Sequence, residues 1–418
     1  MNNNLKFITG LTPTKLSVNT AAQKNASHVL DTTELPTTRT EAWKYTRVAK
    51  IGKIDFKNEA STVTSIDDKK VIDSPHTLVF VNGRFSKELS ADTFPAGVSV
   101  KPLSTLDGIS TQEEFEGDIF GALNLAYLND GLHITIEKKA VVEEPIQVIH
   151  ILKGEAQLSN FKVQIDAEDF SKATVVQGFF SDDASNSFVN YTSDIQVGVN
   201  THFTIEKIQD EEAGNFHIGT DSVSQGKDST FTINTITLNG SLVRNNLNID
   251  VIGENCTTNL NGGYLLKEKQ HVDNHTVVDH RVPNCNSNEL YKGVMDENST
   301  AVFNGKVFVR QDAQKINAFQ SNRNVLLSDN ATVNSKPELE IYADDVKCSH
   351  GSTTGQLDDD AIYYLRARGL SKSAAVQLLV SAFIAEVIAE VGNEDVKTYI
   401  YKRLNERFGW DINPEDFG

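Results

Sequence analysis

The 418-residue chain has only three cysteines, Cys256, Cys285 and Cys348, and no two of them form a CxxC pair. A sparse, odd set without that spacing argues against a disulfide framework and fits a reducing compartment. Iron–sulfur clusters usually take four protein ligands, most of them cysteine thiolates. A cluster bound at one of these cysteines would therefore need ligands from another chain.

Basic residues are also scarce, since 39 Lys and Arg accompany 57 Asp and Glu, for a formal net charge of −18. Nucleic acids and anionic membranes favour basic surfaces, so neither is an expected partner. The first residues lack the apolar core of a secretory signal. The longest apolar stretch, 374–391, is interrupted by Gln377, Ser381, Glu386 and Glu390, which predicts a buried or amphipathic helix rather than a membrane span. These features together predict a soluble, cytoplasmic protein.

Several catalytic motifs are missing as well. The sequence contains no GxxxxGK[ST], no GxSxG and no HExxH. We therefore expect neither ATP binding through a P-loop nor ester hydrolysis through a nucleophile elbow.

Short strand-like segments dominate the region from about residue 132 to 350. From FTIEKI onward they begin roughly 10 to 16 residues apart, and residues rich in Asn, Gly, Ser and Asp separate them. A β-sandwich or barrel would use the Asn-Gly pairs at 239–240, 261–262 and 304–305 as hairpin turns. The length and the asparagine density favour a stacked β-helix instead. Such a solenoid has open ends that other elements or a partner must cover.

The flanking regions have a different character. Residues 1–131 read as a helical and mixed region, in which Asn82-Gly83 between apolar residues predicts a hairpin. Residues 353–418 have helical periodicity, with Asp358 and Ser371 as candidate N-caps and Gly369 as a helix stop. The predicted organisation is thus 1–131, a β-helix core over 132–352, and a C-terminal helical domain over 353–418.

Cys348 and His350 form the most suggestive pair in the chain. If LEIYADDVKCSH is an extended run, the two side chains leave the same strand face, about 6 to 7 Å apart. A thiolate and an imidazole are suitable ligands for transition metals. Two ligands do not complete a site, and a lone cysteine is more often a small buried hydrophobe.

Two other groups of residues offer alternative chemistry. His271, Asp273 and His275 share strand parity and are similar to a two-histidine, one-carboxylate iron site, which would suit a non-haem iron oxygenase. His280 has the opposite parity, and hydrogen-bonded polar residues on the outer face would explain the group equally. Asp344 and Asp345 could act as paired carboxylates of a β-helical carbohydrate hydrolase, but neighbours in a strand point to opposite faces.

Three long stretches, 275–284, 289–331 and 336–370, carry a family resemblance. They closely resemble the core shared by the SufB/SufD family of iron–sulfur cluster assembly proteins. The N-terminal RTEAWKYTRV extends the match and looks like the SufD branch, as do the short length and the few cysteines.

The resemblance implies a right-handed parallel β-helix between an N-terminal helical region and a C-terminal helical domain. It also implies a non-catalytic scaffold that pairs with SufB through the β-helices and docks the ATPase SufC, with a homodimer as an alternative assembly of the isolated chain. His350, with Cys348 beside it, would contribute to a transient cluster or iron site at the SufB interface, without a tightly bound cofactor in the isolated chain. The expected SufC-docking residues are Tyr364, Arg366, Arg368, Phe383 and Ile384.

Overall fold

A computed structural model describes residues 3–18, 20–106, 109, 115 and 117–410. Its centre is a parallel β-solenoid of about eight turns, between an N-terminal mixed region and C-terminal helices. The predicted mainly β fold with a parallel β-helix core is therefore confirmed. The strands are β1 (Thr77–Val81), β2 (Arg84–Phe85), β3 (Val98–Pro102), β4 (Asp130–Ile136), β5 (Ile146–Glu155), β6 (Leu158–Ala167), β7 (Lys172–Ser185), β8 (Phe188–Val197), β9 (His202–Asp210), β10 (Phe216–Gln225), β11 (Thr230–Thr237), β12 (Leu242–Val251), β13 (Thr257–Leu266), β14 (His271–His280), β15 (Asn286–Met295), β16 (Thr300–Val309), β17 (Asn317–Leu326), β18 (Thr332–Ile341) and β19 (Lys347–Gly355).

Successive strands of the solenoid alternate between two sheets. Over the described residues, one sheet has the order β19-β17-β15-β13-β11-β9-β7-β5-β1-β2, and the other has β18-β16-β14-β12-β10-β8-β6-β4-β3. The pairings are parallel except β1 with β2 and β3 with β4. Each strand therefore stacks on the strand one turn earlier, and residues at the same register form columns along the solenoid axis.

The corners and the interior follow from residue type. Asn200, Asn255 and Asn284 occupy corners with φ of 52°, 59° and 64°, a left-handed conformation that asparagine tolerates. Inside the solenoid, alternate residues of each strand stack into one apolar core that includes Phe203 and Phe231. Successive side chains of a strand point to opposite faces, so every second residue is buried. Stacked strands turn these buried residues into a continuous column.

The N-terminal region covers one flank of the solenoid. Its hairpin turns at Asn82 (φ 47°) and Gly83 (φ 73°), as the Asn-Gly pair predicts. Its helices α1 (Thr20–Thr32) and α2 (Ile119–Ala126) share an apolar cluster with Phe188 and Phe216, the first residues of β8 and β10.

Three C-terminal helices follow β19: α3 (Asp359–Ala367), α4 (Lys372–Ala389) and α5 (Glu394–Phe408). Asp358 and Ser371 cap α3 and α4 with their side chains, and Gly369 has φ of 101°, as the sequence predicts. Buried residues of α4 and α5 share an apolar cluster with outward residues of the ten-stranded sheet, among them Ile236 and Leu265.

Helix α4 is the one helix among the described residues that is long and apolar enough to cross a membrane by length and composition. Its residues Val380, Ile384 and Val387 are fully buried against the solenoid or the neighbouring helix. Internal helices of globular proteins pass the same test, so this feature alone is weak evidence for a span.

The last turn of the solenoid differs from the sequence-based expectation in one respect. LEIYADDVKCSH is not one extended run, because β18 ends at Ile341 and β19 begins at Lys347. The residues between form a corner, and they include Asp344 and Asp345. The two carboxylates therefore occupy a bend, and the argument from strand parity does not apply to them.

Candidate functional site

Strand β19 is the last strand of its sheet and carries Cys348 and His350. Both residues belong to the same strand, two positions apart, so their side chains leave one face as predicted. Over the described residues its one neighbour is β17, with Cys348 beside Ala318 and His350 beside Gln320. Because Ala318 and Gln320 are buried interior residues, Cys348 and His350 lie above the interior of the final turn.

Among the described residues, no further strand stacks on this end of the solenoid. Cys348 is half-buried against the core and His350 is exposed. A Cβ atom at Gly351 or Gly355 would have no neighbour within 4 Å in the part of the chain that the structure describes. Burial raises the pKa of the Cys348 thiol, despite a hydrogen bond from the Ala318 backbone that lowers it. Cys348 is consequently a thiol at neutral pH, and it would lose its proton on binding a metal.

Below His350, the interior of the solenoid is polar. The Glu289 carboxylate accepts hydrogen bonds from Thr276 Oγ1 (2.5 Å) and Gln320 Nε2 (2.8 Å). Burial raises the pKa of Glu289 to about 7, although these two bonds lower it. Gln320 is 4% exposed, and its Oε1 has no hydrogen-bond partner among the described residues.

A second polar path links the last two strands across the interior. Ser352 on β19 donates to Ser335 on β18 (2.8 Å), and Ser335 donates to Asn322 Oδ1 (2.8 Å) on β17. Asn322 Nδ2 in turn donates to the Tyr264 hydroxyl (3.0 Å), which donates to Asn324 Oδ1 (2.7 Å). These bonds hold the final turn together where apolar packing thins out.

The structure also brings His271, Asp273 and His275 together, on β14, but around an ion pair. Arg244 Nη1 lies 2.6 Å from Asp273 Oδ2, and His275 Nε2 lies 3.0 Å from Oδ1. Thr46 Oγ1 donates to Asp273 Oδ2 (2.5 Å) and lies 2.9 Å from His271 Nε2. Burial would raise the pKa of Asp273, but Arg244 and His275 outweigh it and hold the pKa well below the usual range.

This arrangement corresponds to the hydrogen-bonded alternative considered for the cluster. Since Thr46 donates its single proton to Asp273, it accepts from His271, which leaves that ring with its proton on Nε2. Burial lowers the pKa of His271, so the ring is neutral. Within residues 3–18, 20–106, 109, 115 and 117–410, no group of three or more His, Cys, Asp or Glu side chains is arranged to hold a metal ion. His280 lies apart, inside the core beside Ser287.

The contacts of Thr46 and Arg244 with Asp273 are not predictable from the sequence. Thr46 and Arg244 lie 227 and 29 residues from Asp273, in segments that share no recognisable motif with it. The Arg244 guanidinium also stacks over the Trp43 ring (3.9 Å) and donates to the Ala42 carbonyl (2.8 Å), which fixes the 41–46 segment on the sheet.

The five residues assigned to ATPase docking fall into two groups. Tyr364, Arg366 and Arg368 are exposed on or just after α3, with the Arg368 guanidinium 5.1 Å from the Tyr364 ring centroid. Ile384 is fully buried against the solenoid, and Phe383 is half-buried over the Lys292 ammonium. Ile384 is therefore part of the intramolecular core and is removed from the surface available to a partner.

Comparisons with known proteins match nearly the whole chain. Residues 150–383 match the family model for the SUF system FeS cluster assembly SufBD core domain, and residues 11–148 match that for the SufBD protein N-terminal region. The chain belongs to the SufBD family. The resemblance inferred from the sequence motifs is thereby confirmed.

Several curated SufBD relatives align over most of their length. The iron–sulfur cluster assembly protein SufD of Escherichia coli is 30% identical over 393 residues, covering 92% of both chains. A SufBD family protein of Synechocystis is 30% identical over 88% of this chain and 86% of its own. SufD of Bacillus subtilis is 28% identical over 68% of this chain and 66% of its own. The chain is therefore a SufD-like member of an iron–sulfur cluster assembly family.

Proposed function

We propose that this chain is a scaffold subunit that pairs with SufB and SufC and helps to form a transient iron–sulfur cluster at a shared interface. The supporting observation is the position of Cys348 and His350 on the terminal strand β19, above the open end of the solenoid. The pair is incomplete by itself. A second chain on this end would supply the missing ligands.

The open end has the features of a surface that another solenoid covers. The outer edges of β18 and β19 have no neighbouring strand among the described residues. Ile341 and Tyr342 expose large apolar side chains there, at 40% and 58%, and Phe319 on the outer face of the adjacent strand β17 is 46% exposed. Unpaired strand edges with apolar side chains favour strand-to-strand association. The proposed occupant is SufB, and a second copy of this chain is the alternative occupant when SufB is absent.

Iron or the nascent cluster is cargo in this proposal. The His350 ring would bind through one nitrogen, and the Cys348 thiol would bind after losing its proton. His350 is the primary ligand because it is exposed, whereas Cys348 is half-buried and its thiol pKa is raised. The isolated chain would hold no cluster tightly, since it provides two ligands of about four.

The exposed face of α3 is the proposed contact for SufC, through Tyr364, Arg366 and Arg368. ATP hydrolysis then belongs to SufC, and this chain acts without catalysing a reaction itself. Because α4 and α5 pack directly on the solenoid, movement of a bound ATPase could shift the balance between a closed and an open interface. Such a scaffold would work in the cytoplasm.

The iron oxygenase based on His271 and Asp273 receives less support. Asp273 is already engaged by Arg244, Thr46 and His275, and a bound iron would have to displace a buried ion pair. The carbohydrate hydrolase has no supporting observation beyond the Asp344-Asp345 neighbours.

Anaerobic affinity purification of the tagged chain from its native cells, followed by mass spectrometry, tests the proposal. We expect SufB and SufC to co-purify with the native sequence. Phe319→Asp, next to the open end, should reduce SufB recovery. Phe170→Asp is a matched control, since Phe170 is also 46% exposed but lies at the corner between β6 and β7. Recovery of an iron-loaded monomer without either partner would overturn the proposal.

A further inference from the structure

The polar interior beneath His350 suggests an additional role in the proposed site. We infer that Gln320 is a positioning residue for His350: its side-chain carbonyl accepts the N–H of one ring nitrogen and leaves the other nitrogen free for iron. The inference deepens the proposed function and depends on His350 acting as the ligand there. It adds Gln320, and Glu289 beneath it, to the site.

Strand register places the two side chains one above the other. Gln320 on β17 and His350 on β19 are direct partners in a parallel pairing. In-register neighbours on parallel strands lie about 4.8 Å apart and point to the same face. The nearest interior residue below the His350 ring is therefore Gln320, and the register allows no other interior side chain of β17 to lie as close.

Glu289 determines which way the Gln320 amide faces. The amide nitrogen donates to Glu289 Oε2 (2.8 Å), and Thr276 occupies Oε1 of the same carboxylate. Both carboxylate oxygens of Glu289 thus face donors, and the Gln320 carbonyl is not directed at either of them. Because the amide nitrogen is directed to Glu289 on β15, one turn below, the amide oxygen is the atom left free to accept a hydrogen bond from a group on β19.

Room for this amide depends on a glycine across the interior. A Cβ atom at Gly305 on β16 would lie 2.9 Å from Gln320 Nε2 and 2.7 Å from the Phe303 ring. A larger residue there would push the amide away from Glu289. Glycine at position 305 therefore leaves the space that the Gln320 amide occupies beside Glu289.

The oxygen of Gln320 is the unsatisfied group that points to a ligand. It is buried and has no hydrogen-bond partner among the described residues. Buried acceptors without a partner are rare and costly, and His350 is the residue on β19 in direct register with Gln320. The bond forms when SufB covers the end of the solenoid and turns the exposed ring inward.

The chemical value of this bond lies in the histidine tautomer. A metal-binding histidine usually donates its other ring N–H to a carboxylate, a carbonyl or water, which fixes the ring and raises its basicity. Gln320 Oε1 would provide that acceptor, and Glu289 would polarise the amide from the far side. Without it, the ring of an exposed histidine rotates freely and presents either nitrogen.

Cobalt(II) titration of the purified complex with SufB and SufC, followed by the cobalt d–d spectrum, tests the inference. Gln320→Met keeps the side-chain length but removes the acceptor. We expect it to weaken Co(II) binding by about 10- to 100-fold and to alter the d–d spectrum. Gln177→Met is the matched control, because Gln177 is also a buried interior glutamine with an unpartnered Oε1, on β7 far from β19. It should bind Co(II) like the native chain.

His350→Ala distinguishes failure of the proposed iron site from failure of the positioning role of Gln320. If His350→Ala binds Co(II) with native affinity and spectrum, the proposed site itself is wrong. If His350→Ala loses binding while Gln320→Met matches the native complex, only the positioning role is overturned. Should Gln320→Met fail to fold, Gln320→Asn provides the same test. Its amide is one methylene too short to reach Glu289 and His350 together, and native Co(II) binding by it would equally overturn the inference.

Discussion

Glu206 on β9 accepts a hydrogen bond from the backbone N–H of Gly392 (2.9 Å), 186 positions further along the chain. Its other carboxylate oxygen accepts from Asn234 (3.0 Å), which in turn donates to the Glu390 carbonyl (3.1 Å) at the end of α4. This buried carboxylate therefore fastens the C-terminal helices to the solenoid.

The first prediction concerns the pH dependence of that attachment. Burial raises the pKa of Glu206 to about 7, although its hydrogen bonds lower it. A group with a raised folded-state pKa gives its full stabilisation below its unfolded value, about 4.5, and loses it as the pH rises through about 7. Between pH 5 and pH 8 the native chain should therefore lose roughly 1–3 kcal/mol of unfolding free energy from this group. The Glu206→Gln chain should not show this loss.

Urea unfolding at pH 5 and pH 8 measures this difference. The chain has two tryptophans, so Trp43→Phe leaves Trp410, which stacks on Phe408 beyond α5, as the fluorescent reporter. Glu137→Gln, at an exposed position, is the control and should change neither value. Equal pH dependence in the native and Glu206→Gln chains would show that folding does not raise the pKa of Glu206.

His150 provides a second, opposite pH prediction. Its ring is fully enclosed, stacks on Phe161 (4.0 Å) and Phe179 (4.7 Å), and has no hydrogen-bond partner on either nitrogen among the described residues. Burial lowers its pKa well below the usual range. The unfolded chain therefore binds the extra proton below about pH 6.5, and stability falls as the solution becomes more acidic.

His150→Phe should reduce this acid sensitivity. Phenylalanine is larger, so overpacking could shift stability by about 1–3 kcal/mol at every pH, and the informative quantity is the difference between pH 8 and pH 5. Thermal unfolding at both values gives that difference. If His150→Phe loses as much stability at pH 5 as the native chain does, the acid sensitivity arises from a group other than His150.

Substitutions in the two groups of residues on the C-terminal helices should differ in their effects on protein stability and on SufC binding. Ile384→Ala opens a cavity against the solenoid and should cost about 2–5 kcal/mol of unfolding free energy. Tyr364 is 57% exposed, so Tyr364→Ala should change stability by less than about 0.5 kcal/mol while weakening SufC binding. Chemical denaturation and calorimetric titration with SufC measure the two effects. Native SufC affinity in Tyr364→Ala would place the docking surface elsewhere.

Much of this fold is predictable from sequence because the signals are local. The Asn82-Gly83 turn, the Asp358 and Ser371 caps, and the asparagine-rich corners each require only neighbouring residues. Helix α4 is different. Its apolar stripe is broad, so the periodicity does not reveal that Ile384 faces the solenoid rather than a partner.

The candidate site likewise has features that can be predicted from the sequence and features that cannot. The spacing of Cys348 and His350 on one strand face is local and therefore predictable. Thr46 and Arg244 reach Asp273 through tertiary contacts that no sequence period encodes. The polar column from Glu289 to Gln320 depends on register between strands one turn apart, which emerges only once the solenoid is assembled.

The ion pair of Arg244 and Asp273 yields a test of the alternative iron site. Arg244→Met leaves a buried carboxylate without its main partner and should cost about 3–5 kcal/mol. Adding Asp273→Asn should recover part of that loss, as a double-mutant cycle would show. The folded double variant should still support cluster assembly. Loss of cluster formation in that variant, with both partners bound, would favour a metal role for the His271 and Asp273 group.

The most direct test of the central claim is the iron and sulfide content of the complex with SufB and SufC, assembled without oxygen and examined by Mössbauer spectroscopy. His350→Ala should retain both partners but reduce cluster content by at least about tenfold. His202→Ala, at an exposed histidine on β9, is the matched control and should assemble clusters like the native chain. A His350→Ala complex with native cluster content would contradict the account.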